Sequence, residues 1–529
     1  MVLTATHTAP AKTANTITQT HTVFRREAAA MRQSLADLFQ GGTSIGARNC
    51  RTVECMTTGP NESMTSRIAQ LRSFAATRAT HARSFRMDQL RSLRELFEDY
   101  SKDIQDALWQ DIGKSAAQTD QTEFTPVKDE IAHAILHLTD WMEPDRRRSI
   151  PLALRPAQAM VKARPLGTVG IIGHWTHPFY SLLAPLVGAV AAGNCVVLKP
   201  SMRAPKTAKL LGTILPEYLN PRSIVTVTGG ENALDELASQ QLDHLFYSGS
   251  EAVGRRVYQR AAGQLTPVTL QLGGKSPVIV VDGHDWKTIG RRIAYGKFSN
   301  AGQSLVSPDY LIAVGYDVAT KVQDAIIDAV EDFYGPNPGE AKQFGRMITP
   351  DHTQRLVNLL QATVKGAVGA TPARLVHGGK YNVESAYLAP TILADVDPNS
   401  AIMQEQILGP ILPILVVDTY DEAMELANSM PTPPVAYGFS ERRRIRRDFM
   451  HRINAGAAVM NVTVLQASLP SLPSNATGAA GFGTWGGYES FRLFSQYRTH
   501  LYKPTRWDTL EAAYPPEPKL GGRFIDKLK

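Results

Sequence analysis

Cysteine is scarce in this sequence: three in 529 residues, Cys50, Cys55 and Cys195. That is too few for a disulfide framework in a chain this long, and no His/Cys spacing resembles a zinc site. A reducing, intracellular and cytoplasmic setting is expected, with no metal. Charge of one sign is also in short supply. Fifty-six Lys and Arg face 49 Asp and Glu, a net excess of seven. The short basic runs at 145–148 and 441–447 read as solvated faces, so no nucleic-acid partner is expected. No secretory apolar region opens the chain. Residues 1–66 are instead Thr-rich, carry their first acid at Glu27, and hold Lys12, Arg25, Arg26, Arg32, Arg48 and Arg51. Such a start fits a disordered tail or an organellar targeting segment. Charge disappears altogether over 165–198, which contains no Asp, Glu, Lys or Arg. Gly167, Gly170, Gly173, Pro178, Pro185, Gly188 and Gly193 interrupt it, so a buried strand–helix–strand unit is expected there and no membrane span.

What is present points to an ordinary globular α/β protein: 43% hydrophobic and 20% charged residues, with 40 Gly and 33 Pro serving many short connections. Residues 67–142 read as mostly helical, with Leu90, Leu93, Leu96 and Phe97 at helical spacing and Ile131, Ile135, Leu136 and Leu138 likewise. Strands are expected at 168–172, 195–198, 224–227, 245–247 and 278–281, with a helix at about 180–192. A second set follows at 310–314, 411–417 and 457–464. Alternation of this kind argues for two mostly parallel sheets covered by helices.

Several motifs then place the chain. Ser248-Gly249-Ser250-Glu251, after a strand and running into a helix that contains Gly254, forms a turn suited to a pyrophosphate. Around it stand Gly173-His174-Trp175-Thr176-His177-Pro178-Phe179, Leu198-Lys199-Pro200-Ser201, Leu270-Gln271-Leu272-Gly273-Gly274-Lys275, Asn300-Ala301-Gly302-Gln303-Ser304-Leu305 and Gln406-Ile407-Leu408-Gly409-Pro410. In this order and spacing the chain resembles the aldehyde dehydrogenase superfamily, in particular its class 3 or fatty-aldehyde branch, over about residues 67–515. The resemblance implies an α/β fold with a Rossmann-like cofactor domain, an α/β catalytic domain and a small bridging segment that makes dimers. The corresponding boundaries are 67–270 for the cofactor domain, with bridging residues near 143–164, then 271–465 for the catalytic domain. Residues 466–529 return to the first domain and complete the bridging segment. It also implies NAD or NADP as cofactor, held by Trp175, Lys199, Ser248, Gly249, Ser250, Gly254 and Gln406.

The positions that handle protons and electrons depart from the family. Its nucleophilic Cys falls on Leu305, which has no lone pair to give, and its general-base Glu falls on Gln271, which cannot take a proton near neutral pH. The oxyanion Asn is Thr176, its Tyr neighbour is His177, and the Glu that grips the nicotinamide ribose is Gln406. Met202 stands where a Glu is usual, and Glu251 would repel a nearby pyrophosphate. Ser304 and Ser307 carry hydroxyls without an evident base. Loss of nucleophile and base together argues against ordinary aldehyde oxidation. His174 and His177 are candidates for acid–base work near neutral pH. Leu305, Leu408 and Phe179 suggest an apolar pocket for a lipid-like or polyketide-like carbonyl metabolite of a biosynthetic pathway. Three readings stay open: a redox-neutral enzyme, an inactive binding partner of an active paralogue, and a dehydrogenase with another nucleophile.

Overall fold

The structure, a computed structural model, describes residues 63–515 except 152–153, 367–368, 507 and 511–513. Cys50, Cys55 and nearly all of the expected tail lie outside the described residues. The first described helix, Met64–Ala76, begins inside the stretch read as tail, where the Ser63 hydroxyl accepts from the Ser66 N–H. Helices Arg83–Asp99, Ser101–Ile112 and Thr125–Met142 follow. Leu90, Leu93, Leu96 and Phe97 are buried on one face of the first of these, as their spacing requires. Gly113, at φ 64°, ends the Ser101–Ile112 helix in the left-handed conformation.

A first seven-stranded sheet orders its strands Ser474–Ala476, Gly481–Trp485, Val268–Leu272, His244–Gly249, Thr168–Ile172, Cys195–Lys199 and Ile224–Thr226. Its last five strands run parallel, and Gly481–Trp485 pairs antiparallel with Val268–Leu272. The charge-free segment is the centre of this sheet. Strands Thr168–Ile172 and Cys195–Lys199 are buried at every residue, and helix Tyr180–Ala192 between them is nearly so. Elements buried on all sides have no use for charge.

The chain leaves this sheet after Leu272 and enters a second at Pro277. Its order is Arg374–His377, Thr391–Ala394, Ile411–Val417, Tyr310–Val314, Pro277–Val280, Ala436–Phe439 and Ala458–Met460. Only the Arg374–His377 edge is antiparallel to its neighbour. The strand expected at 457–464 stops at Met460. Asn461 and Val464 take positive φ (59° and 55°), which turns the chain out of the sheet and toward a cavity. Each sheet has its own apolar core. A third, exposed antiparallel sheet joins Asp145–Arg147, Gln158–Pro165 and Ser495–Tyr502. The basic run at 145–148 thus begins in an exposed edge strand, and the run at 441–447 leads into the surface helix Arg443–Arg452. No helix among the described residues is long and apolar enough to cross a membrane.

Candidate active site

Parallel strands bring their carboxyl ends to one edge of a sheet, and open α/β sheets bind ligands there. Strands ending at Ile172, Lys199 and Gly249 border a cleft with about 1260 Å³ of empty space, its open mouth included. Trp175, Lys199, Ser248, Gly249, Ser250 and Gln406 all line it. Ser250 caps helix Glu251–Ala262 without a side-chain hydrogen bond, so no cap side chain occupies the first-turn N–H groups. Lys199 is buried, donates to the Pro200 carbonyl at 3.0 Å, and is pushed down to about 8 by burial. Gly254 does not line the cleft. A Cβ there would lie 2.7 Å from the Leu272 side chain, so this glycine serves close packing of helix on strand. Glu251 does not line the cleft either; it pairs with Arg255 at 2.6 Å on the exposed flank of the helix.

A second cavity, with about 1060 Å³ of empty space including its mouth, lies against the loop at 299–306. Tyr180, Tyr295, Leu305, Val464, Leu465 and Trp485 make its wall largely apolar, and no Asp, Glu, Lys or Arg lines it. Leu305, His174 and Ser248 line both cavities, so the two spaces meet at these residues. The apolar character was expected, but two of the residues behind that expectation sit elsewhere. Phe179 is fully buried in the core of the first sheet, just before helix Tyr180–Ala192, and Leu408 faces the cleft rather than this chamber.

The loop carrying Leu305 is held in an uncommon conformation. Asn300 and Ala301 take φ 52° and 51°, and Gly302 takes 72°, where a Cβ would meet the Gly409 carbonyl oxygen at 2.3 Å. Gln303 fixes it: its amide nitrogen donates to the Asn300 and Arg346 carbonyls (3.1 and 2.8 Å), and its oxygen accepts from the Ile348 N–H at 2.9 Å. Gln271 lines the chamber and donates to the Gly483 carbonyl at 3.2 Å. Ser307 is buried and bonded to the Gly296 carbonyl at 2.9 Å, so its hydroxyl faces protein. Ser304 lines the chamber. Cys195 is fully buried in its strand, as expected.

Thr176 is buried between two imidazoles, with Oγ1 2.8 Å from His174 Nδ1 and 3.2 Å from His177 Nδ1. Both rings line the chamber. Burial, with the Lys114 charge beside it, holds His174 down to about 3 and keeps His177 well below the usual histidine range. Both rings are therefore held as neutral imidazoles at pH 7.

Sequence reasoning missed the groups that hold this loop. Lys114 and Glu123 form a fully buried ion pair at 2.5 Å. Glu123 also accepts from the Phe179 and Tyr180 N–H groups, and Lys114 donates to the Thr176 carbonyl at 3.3 Å. Asn300 reaches the same carbonyl at 3.0 Å. Lys114 and Glu123 lie in a helical region more than fifty residues upstream, and only the fold brings them under residues 176–180. Among the described residues no group of three or more His, Cys, Asp or Glu is placed to hold a metal ion.

Comparison with known proteins agrees with this geometry. The aldehyde dehydrogenase family profile matches residues 59–500. A relative from Mus musculus, named a dimeric NADP-preferring aldehyde dehydrogenase, is 36% identical over 440 residues, covering 83% of this chain and 94% of the relative. Aldehyde dehydrogenase family 3 member H1 of Arabidopsis thaliana is 36% identical over 462 residues, covering 87% and 94%. Among solved structures, the substrate-bound state of Staphylococcus aureus AldH matches with a TM-score of 0.83 at 34% identity, covering 88% of this chain and 99% of that one. The chain is a member of the aldehyde dehydrogenase family, with class 3 enzymes among its relatives.

Proposed function

We propose that this family member acts on an apolar carbonyl compound without oxidising it through a thioester, a redox-neutral use of the aldehyde dehydrogenase fold. One observation carries the reading: Leu305 stands where the cleft and the chamber meet, at the position from which a thiolate would have to attack. A hydrocarbon side chain there offers no electron pair, and Gln271 beside it offers no base. The chamber lining, free of Asp, Glu, Lys and Arg, suits an uncharged, apolar carbonyl ligand.

The cleft fits a dinucleotide in outline. The uncapped start of helix Glu251–Ala262 and the Ser248 and Ser250 hydroxyls would face a pyrophosphate, Lys199 a ribose or its phosphate, and Gln406 the second ribose. NAD⁺ or NADP⁺ held there would supply a hydride acceptor. The reading requires that no aldehyde hydride reach it. A homodimer is the assembly we attach to this reading, in keeping with the dimeric relative named above.

The test presents straight-chain aldehydes from butanal to dodecanal with NAD⁺ and NADP⁺. Titration calorimetry is expected to show the longer aldehydes binding, while absorbance shows no reduced dinucleotide above the protein-free blank. Sustained reduction with any aldehyde would restore the dehydrogenase reading. Failure of every aldehyde to bind would remove the carbonyl ligand.

A further inference from the structure

Three near neighbours in sequence form a hydrogen-bonded chain whose two histidines line the chamber, with buried Thr176 between them at the edge of the cleft. The Thr176 N–H donates to His174 Nδ1 at 3.2 Å, so that nitrogen is an acceptor and His174 carries its proton on Nε2. In the 2.8 Å contact between Thr176 Oγ1 and the same Nδ1, the hydroxyl is therefore the donor. A hydroxyl has one hydrogen to give. The 3.2 Å contact between Thr176 Oγ1 and His177 Nδ1 must then be donated by the imidazole, which leaves His177 Nε2 as a bare lone pair. Neither Nε2 is among the buried nitrogens that lack a partner, and neither makes a hydrogen bond within the protein, so both open onto space. The rings stand 6.2 Å apart between centroids, at 86° to one another, and both line the chamber. One presents a proton donor and the other a proton acceptor.

From this geometry we infer that His177, Thr176 and His174 form a neutral proton relay that enolises an apolar aldehyde or ketone in the chamber. The inference rests on the proposed redox-neutral reading and names its substrates: carbonyl compounds with a hydrogen on the adjacent carbon. His177 Nε2 takes that hydrogen as a proton, and the Nδ1 proton of His177 passes to Thr176 Oγ1. The Thr176 hydroxyl proton passes to His174 Nδ1, and the Nε2 proton of His174 passes to the carbonyl oxygen. One C–H bond breaks and one O–H bond forms. The C–H electron pair becomes the carbon–carbon double bond of the enol, and the carbonyl π pair receives the new proton. Nothing is oxidised, and no residue is left with a net charge. That matters here, because burial beside Lys114 disfavours an imidazolium at either ring. Running backwards, the relay returns a proton to carbon, and solvent exchange at the His177 nitrogen supplies a label. His174 and His177 are the catalytic residues. Thr176 acts through them.

The experiment incubates the full chain with octanal in D₂O and follows deuterium at the carbon next to the carbonyl by mass spectrometry, with octanal affinity measured in parallel. Uptake is expected at about 10²-fold over protein-free buffer. Thr176→Val, close in shape but without the hydroxyl, should fall to the buffer rate while still binding octanal. Thr176→Ser, which keeps the hydroxyl, should restore most of the uptake. Octanal binding without deuterium uptake, or full uptake in Thr176→Val, would overturn the relay and leave the redox-neutral reading standing. Absence of octanal binding to the unaltered chain would instead overturn that reading.

Discussion

The two spaces that meet at Leu305 are built from different chemistry. On the cleft side, Lys199, Arg203, Glu231 and Arg256 keep charged groups around an open helix start. On the chamber side the wall holds only neutral groups, and its polar residues are amides, hydroxyls and unprotonated imidazoles. The cleft is bordered by the ends of three parallel strands, whereas the chamber draws on helices Thr125–Met142, Tyr180–Ala192 and Trp286–Phe298, on strand residues Ser248, Gln271 and Trp485, and on the segment at 464–468. On the proposed reading, a scaffold so divided would let recognition of a charged dinucleotide and treatment of a neutral carbonyl compound vary separately.

The largest expected effect comes from erasing the difference. Leu305→Cys combined with Gln271→Glu puts a thiol and a carboxylate into the chamber. Reduced dinucleotide from octanal and NADP⁺ should then appear at least about 10²-fold above the unaltered chain. Leu305→Cys alone should stop after a burst, since nothing takes the proton of the hydrolytic water. If the double variant stays silent, the cleft has lost more than its neighbour. Next is the shared support: Lys114→Met strands Glu123 without its partner beneath residues 176–180. Urea unfolding should show a loss of about 3–5 kcal/mol, and a much smaller loss would mean the ion pair matters little to either space.

A smaller effect separates the two sides. Lys199→Ala should weaken dinucleotide binding about 10-fold, the loss of one charge-assisted contact, and leave octanal affinity alone in calorimetry. A change in both would show the spaces to be coupled. The pH response belongs to the chamber. His174 is held at about 3 against an ordinary 6.5, so between those values the unfolded chain binds the proton and the folded chain does not. Stability should decline as pH falls from about 6.5 toward 3 and be indifferent to this residue above 7. Denaturant midpoints for His174→Gln should fall less steeply in acid. Smallest of all, Glu251→Gln should leave dinucleotide affinity unchanged, because Glu251 pairs with Arg255 outside the cleft.

The sheets were legible wherever burial alone sets the pattern. The strands at Thr168–Ile172, Tyr310–Val314 and Ile411–Val417 have the expected bounds, and so has helix Tyr180–Ala192 between its glycines. The reading failed where the backbone leaves regular geometry. Nothing local in Ala457–Val464 says that Asn461 and Val464 will turn left-handed and deliver residues 464–465 to the chamber. Leu305, Gln271, Thr176 and Lys199, singled out by the motifs, each line the cleft or the chamber. Burial decided what position could not: Phe179 starts a core helix, and desolvation with the Lys114 charge holds His177 well below the usual histidine range. The Lys114–Glu123 pair was invisible for a different reason. Its value depends on contacts across 56 to 62 residues of chain, which no spacing rule reports.

The lining of the chamber has one more consequence. It contains neither cysteine nor methionine, and the one described thiol, Cys195, is sealed in a strand and pushed up to about 12 by burial. Conjugated enals, peroxides and other electrophiles that alkylate or oxidise a catalytic thiolate find no sulfur in this space. On the proposed reading, a reactive carbonyl ligand would meet no thiol in the chamber, and its lasting targets there would be the two imidazoles.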